Sequence, residues 1–249
     1  MKNILFFAIY VMLNPRFIRL FFKGIYLPAY IQFEWLKNFN IKCVVDVGAN
    51  DGYVCQSIAH SFKEAMFYAF EPIQEKSELI KRKMKDKFIV VETSAVSDRC
   101  GKAKFFYFKE HDPASSLLRP SKISQKEFSF MNDYSEIEVN TITLDEYFGG
   151  IACENVFLKI DVQGTEKKVL EGGKNFLEKV DIVYIENSFH KMYEETSFFE
   201  DIYGFLVTCG FVYAGSMEDA NFYPRFELSK CENSIFIKKP LWVKYSSLD

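Results

Sequence analysis

Residues 41–47, Ile-Lys-Cys-Val-Val-Asp-Val, are rich in β-branched side chains and read as a strand. The chain then turns at once into a helical pattern that runs to about residue 62. A strand that ends in Asp46-Val-Gly-Ala-Asn-Asp-Gly52 and feeds a helix leaves few folds open. Glycine lets a ligand approach the backbone, and the free N–H groups of the helix N-terminus suit a nucleotide-type ligand. Two acids sharpen the reading. Asp46 lies inside the end of the strand, and Glu71 closes the next strand, predicted at residues 66–70. An acid at that second position accepts hydrogen bonds from both hydroxyls of a ribose. A carboxylate at position 46 repels a pyrophosphate but suits a cation, such as the ammonium and sulfonium of S-adenosylmethionine. The blander reading is that Asp46 caps the turn and Glu71-Pro72 ends a strand.

From residue 41 onward short apolar runs alternate with helical patterns, the signature of a parallel sheet covered on both faces. A charged, solvent-facing helix is predicted at 75–87 and a strand at 88–91, which completes a βαβαβ unit. The alternation breaks in an insertion at about residues 100–148, with strands predicted at 102–108 and 136–142 around a loop holding Ser115 and Ser116. Thr143-Leu-Asp-Glu146 reads as a capping box opening a short helix. Regular winding resumes with a strand at 156–160, a helix from about Thr165 with a left-handed stop at Gly172-Gly173, and a strand at 181–185. Ser197 with Glu200 reads as a second capping box, for a helix that Gly210 ends. Strands at 211–214 and 234–238 have no helical pattern between them, so an antiparallel pair is expected. The domain division is a helical extension at 1–40 and one α/β domain at 41–249.

In the extension, residues 4–13 are apolar but too short to span a bilayer and lack a clear cleavage site, so no transmembrane segment is expected. Asn14-Pro15 opens a helix that runs to Lys23 or Gly24. The charges here are all basic (Lys2, Arg16, Arg19, Lys23) among Phe, Ile and Leu, the composition of an interfacial helix. Residues 1–26 therefore either pack on the domain, or on a second subunit of a homo-oligomer, or make peripheral contact with the inner face of the membrane. The formal charge of −3, with no arginine-rich stripe, gives no footprint for a nucleic-acid partner. The six cysteines are scattered without zinc-ligand spacing and read as reduced core residues of a cytoplasmic protein.

Val45-Asp-Val-Gly-Ala-Asn-Asp-Gly52, Phe70-Glu-Pro72, Ala95-Val-Ser-Asp98, Ser115-Ser-Leu-Leu118, Thr143-Leu-Asp145 and Leu158-Lys-Ile-Asp-Val-Gln-Gly-Thr-Glu166 follow one another in this order. In that order they resemble the FkbM-type methyltransferases, over about residues 41–240. The resemblance implies a Rossmann-like class I methyltransferase fold, α/β, with a seven-stranded, mostly parallel sheet and an antiparallel last strand. To this the chain adds the N-terminal helices and a β insertion after strand three. It also implies S-adenosyl-L-methionine as cofactor and O-methylation of a hydroxyl, frequently on sugars or polyketides. The expected acceptor is a sugar hydroxyl in a glycan, glycolipid or related secondary metabolite, as in polysaccharide biosynthesis. One departure is Gln163, where many relatives carry Glu, which removes a charge near the expected site.

In such a fold the carboxyl ends of strands four and five face the transferable methyl group, which nominates Asp161, with Lys159 one step inside, and Glu186. Asp161 is a candidate general base or, with Glu186, a ligand of a divalent metal such as Mg that lowers the pKa of the hydroxyl. Lys159 alternatively forms an internal ion pair with Asp161 or Glu186. His190, in the loop after strand five, is a further candidate base, the alternative being an ordinary surface residue; His60 and His111 are weaker candidates. The expected cofactor set is Asp46, Gly48, Asn50, Gly52, Glu71, Ala95 and Ser116. Asn221, Phe222, Tyr223 and Arg225 either grip a sugar and an anionic group or simply pack. Two other functions compete: a nicotinamide-dependent oxidoreductase, against which Asp46 argues, and a catalytically silent, membrane-proximal methyltransferase-like binding subunit.

Overall fold

The computed structural model describes residues 14–217 and 230–246. In chain order the helices are α1 (Pro15–Phe22), α2 (Leu27–Gln32), α3 (Tyr53–Ser61), α4 (Gln74–Lys83), α5 (Lys122–Glu127), α6 (Leu144–Phe148), α7 (Glu166–Glu171), α8 (Phe199–Thr208) and α9 (Lys239–Ser246). The strands are β1 (Cys43–Val47), β2 (Met66–Phe70), β3 (Ile89–Glu92), β4 (Ala95–Val96), β5 (Gly101–Tyr107), β6 (Ser135–Ile142), β7 (Val156–Ile160), β8 (Val180–Ser188), β9 (Phe211–Met217) and β10 (Cys231–Lys238).

Strands β1 and β7 are buried at every position, as befits central parallel strands covered on both faces. The main sheet has the order β3-β2-β1-β7-β8-β10-β9, and β10 runs antiparallel to both its neighbours. This is the expected seven-stranded, mostly parallel α/β sheet. Strand order reverses beside β1, which pairs with β2 on one edge and β7 on the other. A crevice opens outside the carboxyl ends at such a switch point. One face of the sheet packs Val45, Leu158 and Val183 against Val169, Leu170 and Leu206. The other packs Val44, Phe157 and Tyr184 against Ile58 and Ala59 of α3 and against Phe33 and Leu36 of the N-terminal extension. Strands β5 and β6 of the insertion form a second sheet with β4, in the order β4-β6-β5.

Several local readings change. Helix α2 and the short 3-10 turn Glu34–Asn38 were not separable in the sequence, being too short for a periodic stripe. Gly172 ends α7 in the right-handed region, φ −73°. Its glycine is required for packing instead, because a Cβ there would lie 2.1 Å from the Ser97 carbonyl oxygen. Thr143 Oγ caps Glu146 N as expected, at 3.1 Å, whereas Ser197 does not open α8. That helix starts at Phe199, and the Asp201 carboxylate accepts from Phe198 N at 3.3 Å. Cys43 and Cys55 are buried and all six cysteines are free, but Cys100 and Cys231 are exposed rather than core residues. Residues 4–13 and Asn221, Phe222, Tyr223 and Arg225 lie outside the described residues. No described helix is long and apolar enough to cross a membrane.

Candidate functional site

The turn after β1 is held by backbone bonds, Gly48 N and Ala49 N both donating to Phe70 O at 3.1 Å. Gly48 has φ +76°, and a Cβ there would stand 1.9 Å from the Asp161 carbonyl oxygen. The close approach that glycine permits is therefore by the end of β7, not by a ligand. Gly52, φ +73°, likewise makes room for Ile80 of α4. Asn50 N donates to Glu71 Oε2 and Ile73 N to Glu71 Oε1, both at 2.9 Å. Each oxygen keeps a further lone pair for a ligand hydroxyl. Burial raises the Glu71 pKa to about 7, against the pull of those two N–H groups.

Asp46 does not reach the ligand space. It is wholly buried, stands opposite Lys159 in the β1–β7 register, and meets its Nζ at 3.2 Å. Cys55 Sγ donates to its other oxygen at 3.3 Å. The cation that this carboxylate meets is thus a lysine of the same sheet, which corrects the expectation that it faces the ligand. Lys159 also donates to Gly48 O at 2.8 Å and lies 3.7 Å from Asp161, so its ion pair is with Asp46 and Asp161 rather than Glu186. Burial opposes its charge, but the carboxylates of Asp46 and Asp161 outweigh that and hold its pKa above the ordinary lysine value. A lysine so held remains an ammonium and cannot serve as a base.

Asp161 and Glu186, at the ends of β7 and β8, are brought together by Gln163. Its Nε2 donates to Asp161 Oδ1 at 2.9 Å and to Glu186 Oε2 at 2.7 Å. The Gln163 backbone is left-handed, φ +59°, and is fixed from three sides. Ser116 Oγ donates to Gln163 O at 2.7 Å, Tyr193 OH lies 3.1 Å from Gln163 Oε1, and Glu166 accepts from Val162 N and Gly164 N. Burial, followed by the charges of Asp161 and Glu166, pushes the Glu186 pKa well above the carboxylate range. A carboxyl with a raised pKa beside a second carboxylate is an acid–base arrangement. Among the described residues no group of three or more His, Cys, Asp or Glu is placed to hold an ion. The Gln163 amide nitrogen, a donor without coordinating ability, occupies the space between the two carboxylates.

Two cavities meet at these acids, and both are lined by Gly48, Asn50, Asp112, Pro113, Asp161 and Glu186. The first, about 250 Å³, is walled by Glu71 and by Phe70, Ile73, Ala95, Phe105 and Leu117. The second, about 400 Å³, is walled by Gln32, Phe33, Tyr53, Tyr184 and Asn233. A strap of the insertion, the 3-10 segment Lys109–Ala114, crosses between them. Its Asp112 pairs with Lys76 at 2.5 Å and accepts from Asn50 Nδ2 at 3.2 Å, while Lys76 also holds Asp51 at 2.6 Å. The first cavity joins an apolar wall to an acid with spare lone pairs. Two buried oxygens of lining residues, Asn50 Oδ1 and Thr165 Oγ1, have no partner among the described residues.

Of the expected site residues, Gly48, Asn50, Glu71, Ala95, Lys159, Asp161 and Glu186 line one or both cavities. Ser116 does not, being fully buried as a brace for Gln163; its neighbour Ser115 lines the first cavity. His190 lines neither, and its Nε2 lies 3.3 Å from Glu127 Oε2. His111 rests against Phe130 and His60 against Tyr30. Residues missed in the sequence are Lys76, Asp112 and Tyr193. Lys76 belongs to a helix whose pattern reads as solvent-facing, and only the fold of the insertion brings Asp112 to it.

A profile of the methyltransferase FkbM domain matches residues 46–213. The chain belongs to the FkbM methyltransferase family. Within 160 aligned residues it is 29% identical to the 2-O-methyltransferase NoeI of Sinorhizobium fredii, covering 61% of this chain and 65% of that protein. The chain thus spans just under two thirds of that relative. Similar solved structures include M. capricolum TrmK in complex with S-adenosyl-homocysteine (TM-score 0.46, 12% identity, 84% of this chain and 67% of that one). Another is a TehB-like SAM-dependent methyltransferase from Corynebacterium glutamicum (TM-score 0.45, 12% identity, 90% and 95%).

Proposed function

We propose that this chain is an S-adenosylmethionine-dependent O-methyltransferase that modifies a sugar hydroxyl in a glycan, glycolipid or related secondary metabolite, as in polysaccharide biosynthesis. The observation that carries the reading is the first cavity, an apolar slot running from Glu71 to the paired acids Asp161 and Glu186. Family membership sets aside the nicotinamide-dependent oxidoreductase. The name of the Sinorhizobium relative supports oxygen as the acceptor atom.

Bound S-adenosylmethionine supplies an electrophilic methyl group on a cationic sulfur. Glu71 accepts the ribose hydroxyls, and Ile73, Ala95 and Phe105 exclude water around the base. Asp161, rather than Asp46, is the negative group that faces the reacting centre, with the Glu186 carboxyl beside it. Asp161 is within reach of both cavities and takes the acceptor proton, while Gln163 holds it in place. Calorimetric titration with S-adenosylhomocysteine tests the cofactor: binding that Glu71→Ala abolishes is expected, and a folded protein that stays silent overturns the proposal. Turnover with any acceptor disposes of the catalytically silent alternative.

A second reading concerns location. Helix α1 buries Phe17 and Leu20 but leaves Phe21 and Phe22 65% and 82% exposed, beside Arg19 and Lys23. That combination supports peripheral contact with the anionic inner face of the membrane by a cytoplasmic enzyme. Sedimentation with anionic vesicles that Phe21→Ser with Phe22→Ser does not weaken would refute it. Concentration-dependent self-association lost in the same variant would instead assign the patch to a homo-oligomer.

A further inference from the structure

We infer that the second cavity is the acceptor chamber, that it takes an uncharged sugar ring, and that residues outside the matched family segment set its specificity. The inference rests on the proposed methyl transfer and adds the acceptor's chemistry and place. The chamber opens onto the first cavity at Asp161 and Glu186, where the transferred group must arrive. Part of its remaining wall, beside Tyr53 and Tyr184 of the matched segment, comes from elements that the family match leaves out. Gln32 and Phe33 precede residue 46, and Asn233 follows residue 213.

These outlying residues are held in place by the sheet. Gln32 Nε2 donates to Tyr184 OH at 2.5 Å, and the Phe33 ring meets Tyr184 edge-on at 4.9 Å. Asn233 stands directly opposite Glu186 in the β10–β8 register. An amide and a carboxylate side by side can share the hydroxyls of one ring, the carboxylate accepting and the amide both donating and accepting.

Charge decides the class. The described lining contains four carboxyl groups, Asp51, Asp112, Asp161 and Glu186, and a single cation, Lys159. Lys159 is 5% exposed and already engaged by Asp46 and Gly48 O. Lys76, just outside, is committed to Asp51 and Asp112, and Lys83 donates to Asp51 O over the Tyr53 ring. Among the described residues, a phosphate or uronate in this chamber would meet carboxyl groups and no cation that is not already paired. A neutral polyol meets acceptors for its hydroxyls. The volume, about 400 Å³, is at the scale of small-ligand pockets.

The test uses the full chain with labelled S-adenosylmethionine and a panel of methyl hexosides and deoxyhexosides, set against the matching uronates and sugar phosphates. Transfer to one or more neutral glycosides is expected, with the charged counterparts at least about tenfold lower in kcat/KM. Asn233→Ala and Phe33→Ala should each raise the acceptor KM about tenfold, the scale of one lost contact, while S-adenosylhomocysteine binds as in the wild type. Retained binding also shows that the variants fold. Preference for the charged sugars, an unchanged acceptor KM in both variants, or no transfer to any neutral glycoside by a cofactor-binding protein would overturn the inference. Loss of cofactor binding in the wild type would instead overturn the methyltransferase proposal beneath it.

Discussion

Asp46 and Lys159 face each other across the β1–β7 pairing, 3.2 Å from Oδ1 to Nζ, with the carboxylate sealed from solvent. The pair fixes the floor of the site, since the same ammonium also holds the Gly48 carbonyl. Removing Asp46 leaves the buried Lys159 ammonium with only the more distant Asp161, at 3.7 Å, as counter-charge. Asp46→Asn should therefore cost about 3–5 kcal/mol in urea unfolding, with much of it recovered when Lys159→Met is added. Equal losses in the single and double variants would show that the two charges are not coupled.

Gly48→Ala places a methyl group 1.9 Å from the Asp161 carbonyl oxygen in a left-handed turn. The ends of β1 and β7 must then part, carrying Asp161 away from Gln163. Destabilisation of more than about 2 kcal/mol, with weakened S-adenosylhomocysteine binding, is expected. A variant that melts and binds like the wild type would contradict the geometry.

Cofactor affinity should depend on pH through Glu71. Burial raises this carboxyl to about 7, so below that pH a proton occupies an oxygen needed to accept ribose hydroxyls. Affinity for S-adenosylhomocysteine is expected to fall as pH drops through about 7 and to level off above it, and Glu71→Gln should flatten the profile. Calorimetry between about pH 5.5 and 8.5 reads this directly. An identical slope in the variant would assign the titration to another group.

Gln163→Glu replaces the bridging amide with a third carboxylate beside Asp161 and Glu186. Mutual repulsion is then relieved by a cation, so Mn²⁺ or Mg²⁺ should raise the melting temperature of the variant and leave the wild type unchanged. A similar metal-dependent rise in the wild type would mean that the amide yields its place to an ion.

Much of the architecture was legible in residues 41–70. The β-branched content of β1 marked a strand, the glycines marked the turn, and Glu71 marked the end of β2. The short strands β2 and β7 match the predicted ranges 66–70 and 156–160 because period and composition are local properties. The same local logic failed at Gly172, where a helix-ending glycine answers to a neighbouring chain segment rather than to its own φ.

The sequence by itself determined where most strands of the main sheet and the turn after β1 fall, and which acids lie at the carboxyl edge of the sheet. Tertiary structure decided what each of those groups meets. Asp46 faces Lys159 because parallel register sets them opposite each other, and Gln163 joins Asp161 to Glu186 because two strand ends converge. Asp112 reaches Lys76 only through the folded insertion, and Gln32 and Asn233 share one cavity though they lie at opposite ends of the chain. Periodicity reports that a face is buried. The partner on that face is set by long-range packing, which no local pattern encodes.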